Sequence, residues 1–372
     1  MRSGVVLGLA ALLLVSPVHA ENAPALSQDQ IDRIEATVTT FMAAQHVPGM
    51  SVALVIDGRP AWSRGFGLAD VENTVPATAA TAYRSASIGK TLTATAAMRL
   101  VEAGTLDLDA DIRRYCPAFP AKPWTIKVRH LLSHQSGIRH YGGPRDREEQ
   151  ASTVHYADVV DAMAPFKHDA LLFQPGTKYS YSTYGYDVLG CVLQGAAGAP
   201  FLDVMRTQVW KPAGMTATRD DDPAALIERR AAGYVLADGA LRNAQHVDMS
   251  NRMPAGGYIT TVDDLARFAA AVLDGRLVKP ATLKQMLAPS TLADGTRVPY
   301  GLGWGIELEP WHGDTWTFHG GSSPGASGMV ALMPTHRFGV AILANLEDLP
   351  ARNDLVETIT RIALGFEGAT AK

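Results

Sequence analysis

The sequence predicts an α/β fold of the α+β type, with one antiparallel sheet built from both ends of the chain and flanked by helices. Strand-like patterns occupy residues 50–67 and return in the C-terminal part, mainly between residues 303 and 344. Residues from roughly 105 to 230 carry mostly helical and loop patterns, which predicts a helical lobe inserted into the α/β part. With 372 residues and 47% hydrophobic content, the chain can bury a large core.

The N-terminal segment, residues 1–20, has the features of a signal peptide. Arg2 precedes an apolar run over residues 5–15, and the small residues around Val18-His19-Ala20 follow it. We therefore expect cleavage after Ala20, a mature domain of residues 21–372, and a secreted or periplasmic location. The apolar run is short for a membrane span, and an uncleaved anchor is the alternative.

The charge pattern excludes some partners. The chain has 33 Lys and Arg residues against 37 Asp and Glu residues, a net charge of -4 that is spread along the sequence. Because this leaves no basic face, nucleic acid is not an expected partner. No integral membrane segment is expected after processing, and the oligomeric state stays open.

Cys116 and Cys191 could oxidise in an exported protein. Cys191 falls in an apolar helical stretch, where a cysteine is typical of a core position, while Cys116 adjoins Pro117 in a loop. These local contexts predict that the two thiols do not pair. Two cysteines in a domain of this size also do not amount to a disulfide framework.

The first elements of the mature chain have clear local signals. Ser27 and Gln30 form a capping box, and apolar residues follow at helical spacing. Residues 50–56 and 61–67 flank Asp57-Gly58, a pair preferred in tight hairpin turns. An amphipathic helix followed by a β-hairpin is therefore expected.

The chain is organised around the stretch Ser87-Ile88-Gly89-Lys90, which has S-x-x-K spacing. In a helix, this spacing puts a hydroxyl and an amine on one face, one turn apart. An amine held neutral in a dry pocket can remove the proton from a serine and make it a nucleophile. The residues that follow, 91–100, are almost all small or apolar, which predicts a buried helix. The alternative is a solvated lysine near a helix N-terminus.

The later elements follow from periodicity and capping. Helices are predicted at residues 184–195 and 262–273, the second capped by Thr261, and a last helix carries Leu355, Ile359 and Ile362. Strands are predicted at residues 233–236, 303–308, 315–319, 328–333 and 339–344.

Two later clusters could join Ser87 in one site. Tyr181 lies in a polar run over residues 179–183, and a tyrosine hydroxyl near a neutral lysine can pass a proton to a leaving group. The segment His319-Gly320-Gly321-Ser322 ends an apolar strand, and its glycines would let a substrate backbone lie against the strand edge. An N–H group there and the N–H group of Ser87 could form an oxyanion hole.

In this order, the clusters resemble the S-x-x-K, Y-x-N and K-T-G motifs of the serine β-lactamase and penicillin-binding protein superfamily. The chain is most similar to the class C-like branch, which includes esterases, D-amino-acid peptidases and the mitochondrial serine β-lactamase-like protein. The resemblance implies a β-lactamase/transpeptidase-like fold, with no metal and no cofactor. Further matching segments are His130-Leu131-Leu132-Ser133-His134-Gln135-Ser136-Gly137-Ile138, Pro175-Gly176-Thr177-Lys178-Tyr179-Ser180-Tyr181-Ser182, Gly256-Gly257-Tyr258 and Tyr300-Gly301-Leu302-Gly303-Trp304.

Matched to the family motifs, Ser87 is implied as the acylated nucleophile, Lys90 as its base and Tyr181 as the partner acid/base. The resemblance also implies acyl transfer through a covalent acyl-enzyme that water then releases. Whether Lys90 or Tyr181 is the operative base stays open, because two coupled groups share their titration. The implied oxyanion donors are the N–H groups of Ser87 and Ser322, and the implied substrate contacts are Thr183, His319, Gly320 and Gly321.

Two departures from the family pattern bear on the substrate. Thr183 stands where Y-x-N has Asn, so one hydroxyl replaces an amide. His319 replaces the Lys of K-T-G, and a histidine is charged only near or below its ordinary pKa of about 6.5. Both changes favour peptide or ester hydrolysis over efficient β-lactam hydrolysis.

Two other patterns match motifs of different functional sites. Residues 321–325 match G-x-S-x-G, the nucleophile elbow of α/β-hydrolases, but a strand rather than a helix is predicted after Ser323. His130 and His134 have a zinc-binding spacing without the Glu of H-E-x-x-H, and we interpret them as buried or capping residues of the pocket wall. His140 could also line the cleft.

The sequence therefore predicts an exported serine hydrolase that acts on amide or ester bonds of a small-molecule or peptide substrate. Two alternatives stay open: a class C-like β-lactamase, and a penicillin-binding or scaffold protein with little turnover. The natural substrate and its stereochemistry are not predicted.

Overall fold

The computed structural model describes residues 26–142 and 146–366, so the predicted leader lies outside the described residues. The helices are α1 (Gln28–Gln45), α2 (Gly89–Glu102), α3 (Val128–Leu132), α4 (Asp146–Gln150), α5 (Thr183–Ala197), α6 (Phe201–Met205), α7 (Lys211–Ala213), α8 (Met253–Gly256), α9 (Val262–Leu273), α10 (Pro280–Met286) and α11 (Arg352–Leu364). The strands are β1 (Gly49–Ile56), β2 (Arg59–Asp70), β3 (Val75–Pro76), β4 (Tyr83–Arg84), β5 (Arg219–Asp220), β6 (Tyr234–Ala237), β7 (Ala240–Asn243), β8 (Tyr258–Thr260), β9 (Ser290–Thr291), β10 (Arg297–Val298), β11 (Gly305–Ile306), β12 (Thr317–Ser323), β13 (Ala326–Met333) and β14 (Phe338–Ala344).

One large antiparallel sheet joins the two ends of the chain. Its seven strands have the order β11-β12-β13-β14-β1-β2-β3. The first and last long strands are neighbours, with Met50 opposite Ala344 and Val55 opposite Gly339. Long-range pairing between β1 and β14 therefore closes the fold, and the predicted α+β architecture with a sheet from both termini is confirmed.

Strand β1 is buried on both faces because helices cover each side of the sheet. Val52 and Leu54 pack in one apolar cluster with residues of α1 and α11. Ala53 and Val55, which point the other way, pack in a second cluster with residues of α2 and α9. The alternation follows from the two-residue period of a strand, and the continuous apolar run of β1 fits burial on both sides.

The structure contains the capping box and the hairpin turn that were predicted near the N-terminus. Ser27 Oγ accepts the Gln30 N–H at 3.2 Å, and the Gln30 side-chain oxygen accepts the Ser27 N–H at 3.0 Å, which completes the capping box before α1. Asp57 and Gly58 have φ values of +51° and +73°, as a turn matching the right-handed twist of the hairpin requires. The predicted helix and hairpin are confirmed.

The predicted strands of the C-terminal part are present, and the bounds of β11 and β12 differ most from the prediction. The strand predicted at residues 303–308 shortens to β11, because Gly303 has a φ of +87° and breaks the extended backbone. The strand predicted at residues 315–319 continues to Ser323, because β12 pairs with β13 along its whole length. Cross-strand pairing outweighs the low strand propensity of Gly320 and Gly321.

Helix α2 is buried nearly all round, as predicted, with only Arg99, Val101 and Glu102 partly exposed. Helix α5 and helix α9 begin within a residue of their predicted starts. Among the described residues, no single helix is both long and apolar enough to cross a bilayer, and one pair of helices, Thr183–Ala197 with Phe201–Ala213, reaches that length and composition only across a bend of 78°.

The prediction that Cys116 and Cys191 stay unpaired is wrong. The two residues form a disulfide, with a Cα–Cα distance of 5.5 Å, and both are buried. The loop that carries Cys116 lies directly on α5: a Cβ added at Gly195 would come within 1.8 Å of the Tyr115 carbonyl oxygen. The disulfide joins residues 75 positions apart in sequence, so the local contexts of the two cysteines could not reveal the bond.

Candidate active site

Ser87 lies in a 3₁₀ turn, Ala86–Ile88, that leads directly into α2 at Gly89. The sequence predicts Ser87 and Lys90 within one helix, whereas the helix begins two residues after Ser87. Ala86, at the start of this turn, has a φ of +45°, in the left-handed region that an alanine rarely adopts. Such backbone strain persists only where the surroundings hold it, and it is frequent at functional sites.

Two glycines let other segments press onto the turn of Ser87. Gly256, at the end of α8, has a φ of +148°, and a Cβ there would lie 1.9 Å from the Ala86 carbonyl oxygen. A Cβ added at Gly321 of β12 would lie 2.7 Å from the Ser87 backbone nitrogen. Both positions therefore require glycine, and the backbone of β12 lies against the Ser87 amide.

Lys90 is fully buried in the first turn of α2. Its Nζ lies 3.1 Å from Ser87 Oγ, 3.1 Å from the Ala255 carbonyl oxygen and 3.4 Å from Thr183 Oγ1. A neutral amine has two N–H groups and one lone pair. Ala255 and Thr183 can accept the two N–H groups, which leaves the lone pair for the Ser87 hydroxyl.

The charge state of Lys90 depends mainly on its burial. Removal from water lowers the pKa of the Lys90 amine to about 7, while the nearby Asp187 acts to raise this pKa and Arg252 to lower it. A substantial share of the amine is therefore neutral near pH 7. The alternative of a solvated surface lysine is excluded.

Tyr181 lies beside the same pair, with its ring centroid 4.9 Å from Lys90 Nζ. Burial raises the pKa of its phenol, and a side-chain hydrogen bond with Ser87 opposes this rise. A phenol with a raised pKa stays protonated at neutral pH, so Tyr181 can donate a proton but is a weak candidate for the base. The structure thus brings Ser87, Lys90, Tyr181 and Thr183 together.

Two histidines hold the backbone that carries Tyr181 and Thr183. His134 Nδ1 accepts the Ser182 N–H at 3.1 Å, and its ring packs 4.2 Å from the ring of Tyr181. His140 Nδ1 accepts the Thr183 N–H at 3.1 Å. The sequence predicts that His134 belongs to the pocket wall and that His140 could line the cleft, but it does not predict these bonds, because a hydrogen bond to a distant backbone leaves no local pattern.

His319 is buried at the site and uncharged. Its Nδ1 lies 2.7 Å from the Gly320 carbonyl oxygen, which can only accept, so Nδ1 carries the proton and Nε2 accepts the Tyr300 hydroxyl at 3.0 Å. Burial, with the nearby Lys90 adding to it, lowers the pKa of His319 to about 3. His319 therefore supplies no cation near neutral pH.

The glycine segment of β12 lies at an uncovered part of the sheet edge. Among the described residues, β11 pairs only with Thr317 and Phe318 of β12, so no strand lies beyond residues 319–323 on that side. Ser322 is exposed, and its Oγ donates to Asp348 Oδ1 at 2.7 Å and accepts the Asp348 N–H at 3.0 Å. The edge can take up an extended segment.

Arg352 supplies a cation at this edge, which the sequence did not predict. The half-buried side chain starts at the beginning of α11, and one of its Nη atoms donates to the Gly321 carbonyl oxygen at 3.3 Å. Its charge also acts on His319 and Tyr181. It lines an open cavity of about 530 Å³ together with Ser322. In sequence Arg352 is only a polar residue at a helix start, so no motif marks it.

Neither of the two alternative patterns forms the site that it could indicate. Ser323 ends β12 and is followed by Pro324-Gly325 and then β13, a strand–turn–strand unit rather than the strand–turn–helix of a nucleophile elbow. His130 Nδ1 accepts the Lys127 N–H at 3.2 Å and thus caps α3. Within the described ranges, no group of three or more His, Cys, Asp or Glu side chains is placed to hold a metal ion.

This fold and this arrangement of side chains belong to a known class. The family model described as Beta-lactamase matches residues 34–364, and the chain therefore belongs to the beta-lactamase family of serine hydrolases. The family predicted from the sequence motifs is confirmed.

Individual relatives are distant but cover most of the chain. The mitochondrial serine beta-lactamase-like protein of Mus musculus is 29% identical over 450 aligned residues, which cover 92% of this chain and 80% of that protein. Penicillin-binding protein 4* of Bacillus subtilis is 27% identical over 328 residues, 84% of this chain and 71% of that protein. A solved structure of an octameric penicillin-binding protein homologue from Pyrococcus abyssi matches with a TM-score of 0.78 and 25% identity, covering 90% of this chain and 77% of that one.

Proposed function

We propose that this protein hydrolyses amide or ester bonds through a covalent acyl-enzyme formed on Ser87. The observation that carries this proposal is the 3.1 Å distance between Lys90 Nζ and Ser87 Oγ, at a buried amine whose pKa is lowered to about 7. A neutral amine at this distance can take the serine proton as the oxygen attacks. Lys90 is accordingly assigned as the base and Tyr181 as the acid.

The reaction has two halves. In the first, Ser87 Oγ bonds to the acyl carbon, its proton passes to Lys90, and the leaving group departs with a proton from Tyr181. In the second, the Lys90 ammonium returns a proton to Tyr181, and Lys90 then takes a proton from the water that attacks the acyl carbon. That proton passes to Ser87 Oγ as the bond to the acyl carbon breaks and the carboxylic acid leaves. The N–H groups of Ser87 and Ser322 would hold the negative oxygen in both tetrahedral intermediates.

Peptides, D-amino-acid peptides and esters are the proposed substrates. The uncharged His319 and the single hydroxyl of Thr183 remove two features of the β-lactam site of the wider family. The uncovered edge of β12 can accept an extended substrate backbone. A reporter cephalosporin is therefore expected to turn over more slowly than a short-chain ester.

We also infer that the protein is exported. The buried Cys116–Cys191 disulfide supports this, since such bonds persist mainly in oxidising compartments. The predicted leader ending at Ala20 supports it independently.

The test of the proposed function is intact-mass analysis after brief exposure to a fluorophosphonate and, separately, to a penicillin. One fluorophosphonate adduct is expected on the wild type and none on Ser87→Ala, because only an activated serine reacts. Equal labelling of both proteins would refute Ser87 as the nucleophile and make Ser323 the next residue to change. A penicillin adduct that persists would indicate a binding protein, and one that is released rapidly a β-lactamase.

Arg352→Gln is expected to raise KM about tenfold for a dipeptide with a free C-terminal carboxylate, the effect of losing one hydrogen bond to a charged group. We expect this effect because Arg352 places a cation at the edge of β12, where it can bind the carboxylate of the substrate. The amidated form of the same dipeptide is the control, and its KM should change little. Equal changes for both peptides in steady-state assays would mean that Arg352 does not recognise the carboxylate.

A further inference from the structure

The edge of β12 that faces β11 presents two backbone positions to an extended substrate. The Glu307 N–H donates to the Trp316 carbonyl oxygen at 3.0 Å, so the main-chain groups of Trp316 point toward β11. Main-chain groups alternate between the two sides of an antiparallel strand, so those of Phe318, Gly320 and Ser322 point toward the same edge. Phe318 pairs with β11, which leaves Gly320 and Ser322 as the open positions.

Strand β11 does not reach Gly320. The register that places Gly305 opposite Phe318 would place Gly303 opposite Gly320. Gly303 instead has a φ of +87°, and its N–H donates to the Leu132 carbonyl oxygen at 3.2 Å. The chain therefore turns away from the sheet one pair before Gly320, and the main-chain groups of Gly320 face the cleft.

Two open positions allow two registers for a substrate backbone. A substrate that pairs at Ser322 alone uses the last position, because β12 ends at Ser323 and the turn at Pro324-Gly325 follows. A shift of two residues inward would add hydrogen bonds at Gly320, but it would move the scissile carbonyl about 7 Å along the strand. If Gly320 were free, the unproductive register would make more hydrogen bonds than the productive one.

The side chain of His319 covers the Gly320 carbonyl. His319 and Tyr300 are both buried, and His319 Nδ1 lies 2.7 Å from the Gly320 carbonyl oxygen while its Nε2 lies 3.0 Å from the Tyr300 hydroxyl. A carbonyl oxygen can only accept, so Nδ1 donates to it and the Tyr300 hydroxyl donates to Nε2. The hydrogen bond from Tyr300 therefore holds the imidazole in the tautomer that carries its proton on Nδ1.

We infer that His319, held in this tautomer by Tyr300, closes the Gly320 carbonyl and confines an extended substrate to pairing at Ser322. The inference rests on the proposed function, and it names the group that sets the register of a peptide substrate at Ser87. Tyr300 is a positioning residue that acts through His319. No proton is transferred, because the imidazole acts only as a fixed donor.

The test compares two p-nitrophenyl esters, of acetic acid and of N-acetyl-trialanine, which share one leaving group. The trialanine ester is made in the L and D series, and the series that the wild type acylates faster is used. Stopped-flow measurement of p-nitrophenol release in the acylation phase gives a limiting rate and a half-saturating concentration. The acetate has no backbone to pair with the edge, so it reports any other effect of a substitution on the site.

In His319→Ala the Gly320 carbonyl becomes free, and the peptide ester should also bind in the shifted register. Unproductive binding lowers the limiting rate and the half-saturating concentration by the same factor and leaves their ratio unchanged. Relative to the acetate, we expect both values for the peptide ester to fall about fivefold, the effect of one hydrogen bond between neutral groups.

His319→Asn should restore the wild-type values of the peptide ester relative to the acetate, because its amide nitrogen can replace Nδ1 as the donor. His336→Ala is the matched control: it removes a histidine from the turn between β13 and β14, and neither ester should respond.

A peptide ester whose two values do not change relative to the acetate would overturn the inference and leave the proposed function intact. A lower half-saturating concentration with an unchanged limiting rate would also overturn it, because Gly320 would then bind the productive substrate. If His319→Ala does not fold, long-range ¹H–¹⁵N spectra of the wild type at pH 7 decide: a proton on Nδ1 of His319 supports the inference, and a proton on Nε2 overturns it. A wild type that neither cleaves the esters nor is labelled at Ser87 would refute the proposed function itself.

Discussion

Replacing Lys90 with methionine is expected to lower kcat/KM for a short-chain p-nitrophenyl ester by about 10³-fold, within the range of lost general-base catalysis. Lys90 Nζ lies 3.1 Å from Ser87 Oγ, and the other group bonded to this serine, Tyr181, has a raised pKa and stays protonated. Because activity requires the unprotonated amine, the wild-type rate should rise with pH through about 7, the lowered pKa of Lys90. The rate of the variant, measured from pH 6 to pH 9, should not show this rise.

The same substitution should not destabilise the fold. Because burial lowers the pKa of Lys90 from 10.5 to about 7, the unfolded chain binds more protons than the folded chain between these values. The buried amine therefore costs most stability below about pH 7, and the cost declines as pH rises. Methionine removes this cost, so the melting temperature of Lys90→Met at pH 6 should equal or exceed that of the wild type.

Lys211→Met is the control for the Lys90 variant, because Lys211 is an exposed lysine at the start of α7. It should keep both the wild-type rate and the pH profile. Full activity in the Lys90 variant would contradict the assignment of the base, and loss of folding would show that the amine has a structural role instead.

Removing the disulfide is expected to lower the free energy of unfolding by about 4 kcal/mol, from the chain entropy that a cross-link of this span removes from the unfolded state. The bond joins residues separated by 75 positions and ties the loop of Cys116 to α5. Cys116→Ala, Cys191→Ala and the double variant should therefore melt at similar, lower temperatures. Thermal unfolding followed by circular dichroism measures the effect.

The reduced wild type is the internal control. Unfolding in the presence of a reductant should lower its melting temperature toward that of the variants, whereas the double variant should not respond. A reductant effect of the same size on the double variant would mean that the bond is not the cause. Because Cys191 lies two turns along α5 from Thr183, esterase activity at low temperature should survive.

Much of the fold followed from short-range signals. The capping box of Ser27 and Gln30 and the turn at Asp57-Gly58 depend on residues within three or four positions of each other, so the sequence contains them completely. Strand boundaries were less well predicted, because β12 extends through two glycines only by pairing with β13. The division into a helical lobe stays a prediction.

The candidate site was predicted to the extent that motifs mark it. S-x-x-K spacing pointed to Ser87 and Lys90, and the order of the later clusters pointed to Tyr181 and the His319 segment. The structure brings these side chains together, while the oxyanion role of the Ser322 N–H remains a prediction. Arg352 was missed, because its approach to Gly321 depends on how α11 packs against the sheet.

The sequence thus determined the family, the order of the main elements and the residues that meet at Ser87, since each rests on local spacing or on motifs. Two features depended on the tertiary structure: the Cys116–Cys191 bond and the uncharged state of His319. The physical reason is the same in each case. Bond formation and protonation depend on burial and on neighbours that are distant along the chain, and a linear sequence does not record either one.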